Sequence, residues 1–348
     1  MTALRPLVAV LVAAALLAPA AATAATPAAF FGVMADGPLL SPSVDLGRET
    51  RLMRSTGVAS IRAAFYWREI EPRPGEFDWA ETDRLVGAAV AAGLDVLPVV
   101  VRSPAWAAGG DSREGAVPDP AAYARFCAEL VARYGPGGAA TFGRPIRSWQ
   151  VWNEPDIDRY WTGTPWPATY VTLLRAARGA IKAADPGARV VAAGLTNRSW
   201  EDLAALYRAG GRGLFDAAAI HPFSRRVSNV VKIVRLAREE MRRRGDARVP
   251  LMLTEVSWSS GKGRSTFNYG WETTERGQAR KVSEALSALA RERVRLGIGG
   301  VWWYTWLSPK LGDDESFSYA GLRRLRGGKP VDKPARAAFR RAVRRLTR

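Results

Sequence analysis

The sequence predicts an α/β fold built as a single (β/α)8 barrel, and three features predict it. Eight short apolar runs alternate with eight helix-length amphipathic segments, the pattern of parallel strands joined by crossover helices. Connections are short on one side of this repeat and longer on the other, as when a parallel sheet closes on itself. Neither G-x-G-x-x-G nor G-x-x-x-x-G-K occurs, so the phosphate turn of an open nucleotide-binding sheet is missing.

The elements follow in order. Residues 30–34 form the first strand and 44–56 the first helix, with Leu46, Leu52 and Met53 on one side and Gly57 as its stop. Residues 58–67 form the second strand, carrying Arg62 along it or near its C-terminal end; an acidic helix start at Asp78, Glu81 and Asp83 then leads to Ala92 and Gly93. The β-branched run 94–101 suits a buried third strand, and Asp119-Pro120 opens a helix to Tyr134. Strands four to eight are expected at 148–152, 189–195, 215–221, 251–255 and 299–305. Their helices are expected at 167–184, 200–209, 228–244, 274–295 and 333–346.

Residues 1–25 read as a leader, with Arg5 in a positive n-region, an apolar stretch over 6–17 and a small-residue cleavage site at Ala22-Thr23-Ala24. Residues 26–348 then form one barrel domain. Export is the expected fate, to the exterior or the cell envelope, with an uncleaved N-terminal anchor as the alternative. No later run reaches about 18 apolar residues, so no membrane insertion is expected after leader cleavage. The lone Cys127 excludes an internal disulfide, and its neighbours Tyr123, Phe126, Leu130 and Val131 put it on an apolar helix face.

The formal charge is +18. A basic surface favours anionic partners, acidic polysaccharides among them. The arginines are spread over many helices, however, and no single stretch gathers them apart from the terminal run 340–348. Nucleic acid is not an expected partner.

The chemistry gathers where the strands end. Residues 148–155 read Ser-Trp-Gln-Val-Trp-Asn-Glu-Pro, a buried strand stopped by an amide, a carboxylate and a proline. On a barrel, strand C-terminal ends line the functional mouth. Arg62, Asn153, Glu154, His221, Glu255 and the Trp302-Trp303 pair all fall there. Two carboxylates about 5 to 5.5 Å apart suit double displacement at a sugar. His221 is the only histidine, and no Cys or Asp cluster has ligand spacing, so neither a metal nor another cofactor is expected.

These motifs resemble clan A of the glycoside hydrolases. The resemblance rests on Trp-Asn-Glu-Pro at 152–155, Leu-Thr-Glu-Val at 253–256, His-Pro at 221–222, the Trp-rich stretch 302–306 and Pro-Gly-Glu-Phe-Asp-Trp at 74–79. Within the clan it is nearest family 39, with family 5 next. It implies Glu154 as acid/base, Glu255 as nucleophile, Asn153 as a donor to the sugar 2-hydroxyl, Arg62 as a charge near Glu255, and His221 lining the sugar subsite. Where many clan members have a tyrosine near the nucleophile this chain has Phe223, so that hydroxyl either comes from elsewhere, with Tyr304 as the candidate, or is absent. Trp106, Trp161, Trp258 and Trp303 are candidates to stack on sugar faces. The expected activity is retaining hydrolysis of β-glycosidic bonds in an oligo- or polysaccharide, anionic glycans included. Long loops over 156–166 and 259–272 would shape an open cleft. A carbohydrate-binding pseudoenzyme, or a basic protein that binds anionic wall polymers, are the alternatives.

Overall fold

The computed structural model describes residues 25–348, apart from positions 36, 197 and 310. The predicted leader lies outside these residues except for Ala25. Eight parallel strands close into a barrel in chain order: β1 (Phe31–Ala35), β2 (Ser60–Tyr66), β3 (Asp95–Val101), β4 (Ser148–Val151), β5 (Arg189–Thr196), β6 (Ala217–His221), β7 (Leu251–Val256) and β8 (Ile298–Trp303). The ring closes where Phe31 pairs with Val301 and Val33 with Trp303.

Helices α1 (Leu46–Thr56), α2 (Trp67–Ile70, a single turn), α3 (Ala80–Ala91), α4 (Pro120–Tyr134), α5 (Trp166–Ala184), α6 (Ser199–Arg208), α7 (Val227–Arg243), α8 (Glu275–Glu292) and α9 (Pro334–Leu346) surround the barrel. Local chemistry sets their ends. Asp45 accepts the Arg48 amide at the start of α1 and Gly57, at φ 97°, ends it; Asp119 accepts the Ala122 amide with Pro120 in the first turn of α4. Among the described residues no helix is long and apolar enough to cross a membrane.

Two apolar regions hold the layers together. The larger lies between strands and helices and includes Cys127, which is buried on α4. Burial pushes its thiol far above the ordinary range, as packing in an apolar layer requires. The smaller fills the barrel and comprises Leu97, Val191, Ala217, Ala219, Met252 and Trp302. Trp302 fits because Gly32 lies opposite; a Cβ on Gly32 would sit 2.3 Å from the indole.

One element was not expected from the sequence. Residues Arg323–Arg326 and Lys329–Asp332 form a hairpin, β9 and β10, turned by Gly327 and Gly328, both at positive φ. A Gly-Gly pair is a hairpin signal, but an arginine-rich strand lacks the apolar alternation that flags one. The hairpin is clamped to the barrel: Arg323 pairs with the buried Glu49, which also accepts Trp306 Nε1 at 2.8 Å. Lys333 Nζ donates to the carbonyls of Tyr319 and Gly321 at 2.8 and 2.7 Å.

Candidate active site

At the end of β4 the chain turns sharply. Trp152 and Glu154 adopt φ of 67° and 47°, left-handed values that cost residues with a Cβ about 1–3 kcal/mol each. Neighbouring strands hold the turn: Trp152 N–H donates to Val100 O at 3.2 Å and Glu154 N–H to Gly194 O at 3.1 Å. Arg102, at the end of β3, has φ 62°. These three of the four left-handed non-glycine residues described line one cleft of about 1000 Å³ at the C-terminal mouth of the barrel. Strain concentrated in this way marks functional sites.

Arg62 organises the cleft floor. It points into the barrel from β2 and is 0% exposed, so its charge must be fully partnered. Nη1 reaches Glu255 Oε1 at 2.7 Å and Met34 Sδ at 3.3 Å, Nε donates to Gln150 Oε1 at 2.7 Å, and Nη2 donates to Asn153 Oδ1 at 2.6 Å. Gln150 in turn donates to Ala192 O at 3.1 Å. With its oxygen engaged by Arg62, the Asn153 amide has its N–H donors left for a ligand.

His221 lies between the two glutamates. Its Nδ1 is 2.6 Å from Glu154 Oε1, while Nε2 is 2.9 Å from Thr254 Oγ1 and 3.8 Å from Glu255 Oε1. The ring lies over bare backbone, since a Cβ on Gly194 would sit 2.1 Å from Nε2. Burial lowers the imidazole to about 4, so at neutral pH it is uncharged, with one nitrogen donating and the other accepting. A protonated Glu154 donates to Nδ1; an ionised Glu154 accepts from it, and Thr254 complements either tautomer.

Both carboxyls are pushed upward, against different opposing charges. Burial, with a smaller contribution from the nearby Asp156 charge, raises Glu154 to about 8. Burial also raises Glu255, but His221 and Arg62 oppose that shift. Arg62 thus restrains the rise without reversing it. Ligand atoms of Glu154, His221 and Glu255 lie within 4.8 Å of one another. A metal could be held at that spacing, yet each atom already has a partner, and Arg62 sets a fixed positive charge against Glu255. The arrangement fits two carboxyls acting on a substrate better than a metal centre.

The cleft walls differ in character. On one side Arg102 stacks over Tyr66 at 4.2 Å and donates to Glu114 at 2.6 Å, and Arg159 joins the same glutamate at 3.1 Å. On the other, Phe317 is the centre of an aromatic group, 4.8 Å from Trp271, 5.5 Å from Tyr269, 5.6 Å from Phe223 and 5.6 Å from Tyr304.

Of the residues singled out from the sequence, Arg62, Asn153, Glu154, Glu255 and Tyr304 line this cleft. His221 does not; it is wholly buried beneath the glutamates. Four tryptophans expected to stack on sugars lie elsewhere. Trp161 is buried edge-on against Trp152 with Nε1 on Thr169, and Trp106 packs edge-on against Trp67 with Nε1 on Glu71 O. Trp258 and Trp303 are buried near each other with their indole N–H groups on Arg225 O and Ala320 O. Strand alternation explains Trp303: Trp302 points into the barrel, so Trp303 faces the helices, and Tyr304, just past the end of β8, lines the cleft.

The cleft also contains residues that sequence reasoning did not select: Tyr66, Arg102, Trp152, Tyr160, Trp271 and Phe317. Tyr66 follows Arg62 at even spacing along β2 and was legible by alternation. The loop aromatics carried no such signal. Glu315 also lines the cleft.

The family model for glycoside hydrolase family 42, described as beta-galactosidase, matches residues 41–108. No curated protein matches the chain. Among solved structures, a family 39 glycoside hydrolase from the gut symbiont Bacteroides cellulosilyticus WH2 aligns with TM-score 0.70 and 20% identity, over 91% of this chain and 64% of that one. The chain therefore spans less than two thirds of that protein. The GH5_18 enzyme from Streptomyces cattleya, in complex with GlcNAc, aligns with TM-score 0.69 and 18% identity, over 92% of this chain and 81% of the other. A monomeric beta-xylosidase from Caulobacter crescentus CB15 aligns with TM-score 0.66 and 20% identity, over 91% and 69%. At these identities the likeness is one of fold. It lies in the (β/α)8 barrel.

Proposed function

We propose that the protein is a secreted retaining glycoside hydrolase that cleaves β-glycosidic bonds of an oligo- or polysaccharide by double displacement. The observation that carries this is a pair of carboxyl oxygens within 4.8 Å of each other, Glu255 held by the Arg62 guanidinium and Glu154 by the His221 imidazole. That spacing suits direct attack by one of them and leaves no room for the water an inverting enzyme places between its pair.

In the first step the Glu255 carboxylate attacks the anomeric carbon while Glu154 gives its proton to the departing glycosidic oxygen. The bond from the anomeric carbon to that oxygen breaks and an ester to Glu255 forms. In the second step Glu154, now ionised, takes a proton from water, whose oxygen attacks the same carbon and releases Glu255. Asn153 N–H groups would hold the sugar 2-hydroxyl and Tyr304 would supply a hydroxyl near the nucleophile.

The fold neighbours include a beta-xylosidase and an enzyme bound to GlcNAc, which supports a pyranoside substrate for this chain. The Arg102–Glu114–Arg159 wall supports an acidic glycan among the substrates. The leader predicted at residues 1–25 supports release from the cell or residence in its envelope. The experiment is product analysis on a panel of neutral and acidic β-glycans, with NMR of the first-formed anomer. Net retention is expected; an inverted first product, or binding to the panel without turnover, would defeat the proposal.

A further inference from the structure

The terminal arginine run on α9 meets further arginines of α8 in space. Helices α8 and α9 pack side by side and leave a groove of about 550 Å³ on the outer face, lined by Arg280, Arg291 and Arg341 over a floor of Ala279, Ser283 and Ser287. The α8 residues recur at helical spacing on one face. Arg345, one turn beyond Arg341, reaches across to Ser287 Oγ at 2.7 Å, and Arg340 and Arg344 flank it; all six arginines are exposed.

Among the described residues none of the six makes an ion pair. The one carboxylate of the groove, Glu284, is already engaged by Lys281 at 3.3 Å. Exposed arginines elsewhere are either matched, as Arg113 is by Asp111 and Arg198 by Glu201, or stand unmatched on separate helices, as Arg125, Arg175 and Arg208 do; the groove differs in gathering six on two adjoining helices. Unmatched like charges along a helix destabilise it, so the row makes physical sense as a site for repeated negative charge. The lining holds no aromatic ring, and single-stranded nucleic acid is held through base stacking as well as charge. A chain of acidic sugars needs only guanidinium forks and hydroxyls, which this groove offers.

We propose that the α8–α9 groove is an auxiliary docking site for an anionic polysaccharide, outside the catalytic cleft. The choice of a polysaccharide over other polyanions rests on the proposed glycosidase activity; the groove itself does not.

The test uses the full-length protein with polygalacturonate as the carboxylate probe, a neutral β-glucan, and single-stranded RNA. Retention on polygalacturonate should fall with salt, and the triple variant Arg280→Gln/Arg291→Gln/Arg341→Gln should bind at least tenfold more weakly. Its slope of log affinity against log salt should be shallower by about two to three, at roughly 0.7–0.9 per lost contact. A control triple with the same charge change, Arg125→Gln/Arg175→Gln/Arg208→Gln on α4, α5 and α6, should bind as the parent does. Hydrolysis of a small aryl glycoside should be equal in all three proteins, which separates docking from catalysis. Equal weakening by both triples would show net charge alone at work and overturn the site. Absence of polygalacturonate binding at low salt would do the same, and tighter binding of RNA than of any glycan would overturn its assignment to polysaccharide.

Discussion

Glu154 in the turn after β4 and Glu255 in β7 present the same side chain to the same cleft from two different electrostatic settings. Both are buried, and burial alone drives both carboxyls upward. Glu255 then meets a permanent cation, Arg62 at 2.7 Å, whereas Glu154 meets an uncharged imidazole at 2.6 Å and lies near the Asp156 carboxylate. Burial thus supplies a common upward push, and the partner decides how much of it survives. A guanidinium cannot give up its charge near neutral pH; an imidazole already has.

Replacing each glutamate should sharpen this contrast. Glu255→Ala should lower kcat on an accepted aryl glycoside on the order of 10⁴-fold or more. Steady-state kinetics retaining even a few per cent of parental turnover would refute the nucleophile assignment. Glu154→Gln should cost about 10²–10⁴-fold on substrates with poor leaving groups, and far less on a dinitrophenyl glycoside, whose leaving group needs no proton. An equal loss on both would remove Glu154 from the acid role.

The same two sites should differ in sign when stability is measured. Glu255→Gln leaves the Arg62 charge buried without its counter-ion, and breaking such a pair costs about 3–5 kcal/mol. Glu154 has a folded-state pKa near 8, above the ordinary carboxylate value, so the native state binds the extra proton and parental stability falls as pH rises from about 4.5 to about 8. Glu154→Gln removes that penalty and should melt higher than the parent at pH 8 and above. Thermal melts in which both variants move the same way would break the comparison.

The smallest effect expected is on the pH profile. Activity should fall as pH rises through about 8, where Glu154 loses its proton. Asp156 is fixed by the Thr196 hydroxyl and by its N–H at 3.1 Å, with Oδ1 buried and unpartnered. Asp156→Asn removes a negative charge near Glu154 and should move this basic limb to lower pH. The other charged or titratable groups around Glu154, namely Arg62, Tyr160, His221 and Glu255, stay in place. A uniform loss of rate with an unmoved limb would mean that Asp156 only braces the turn.

Much of the barrel was legible because buried parallel strands leave uninterrupted apolar runs and the helices carry their caps in sequence, as at Gly57 and Asp119-Pro120. Residues at strand ends were legible for the same reason: the strand fixes where its last residues stand. His221 was legible as a strand-end residue but not as a buried one, because its place depends on the missing side chain of Gly194 one strand away. The run Val301 to Tyr304 is apolar or aromatic throughout, so its inward phase could not be read, and Trp303 was chosen alongside Tyr304, of which only Tyr304 lines the cleft. Phe317 and Trp271 belong to loops, where no periodicity links position to direction. The α8–α9 arginines become one feature only when two helices separated in sequence lie side by side.

The seam between β1 and β8 also has a consequence in time. Thr305 Oγ1 donates to Met34 O across 271 residues, and the sheet cannot close until β8 has been made. At about 5–20 residues per second, that leaves the nascent chain with open strand edges for roughly 15 to 60 seconds. Contacts so distant in sequence also form slowly once the chain is complete. Until the ring is sealed, the growing chain carries unpaired strand edges of the kind that pair with other chains.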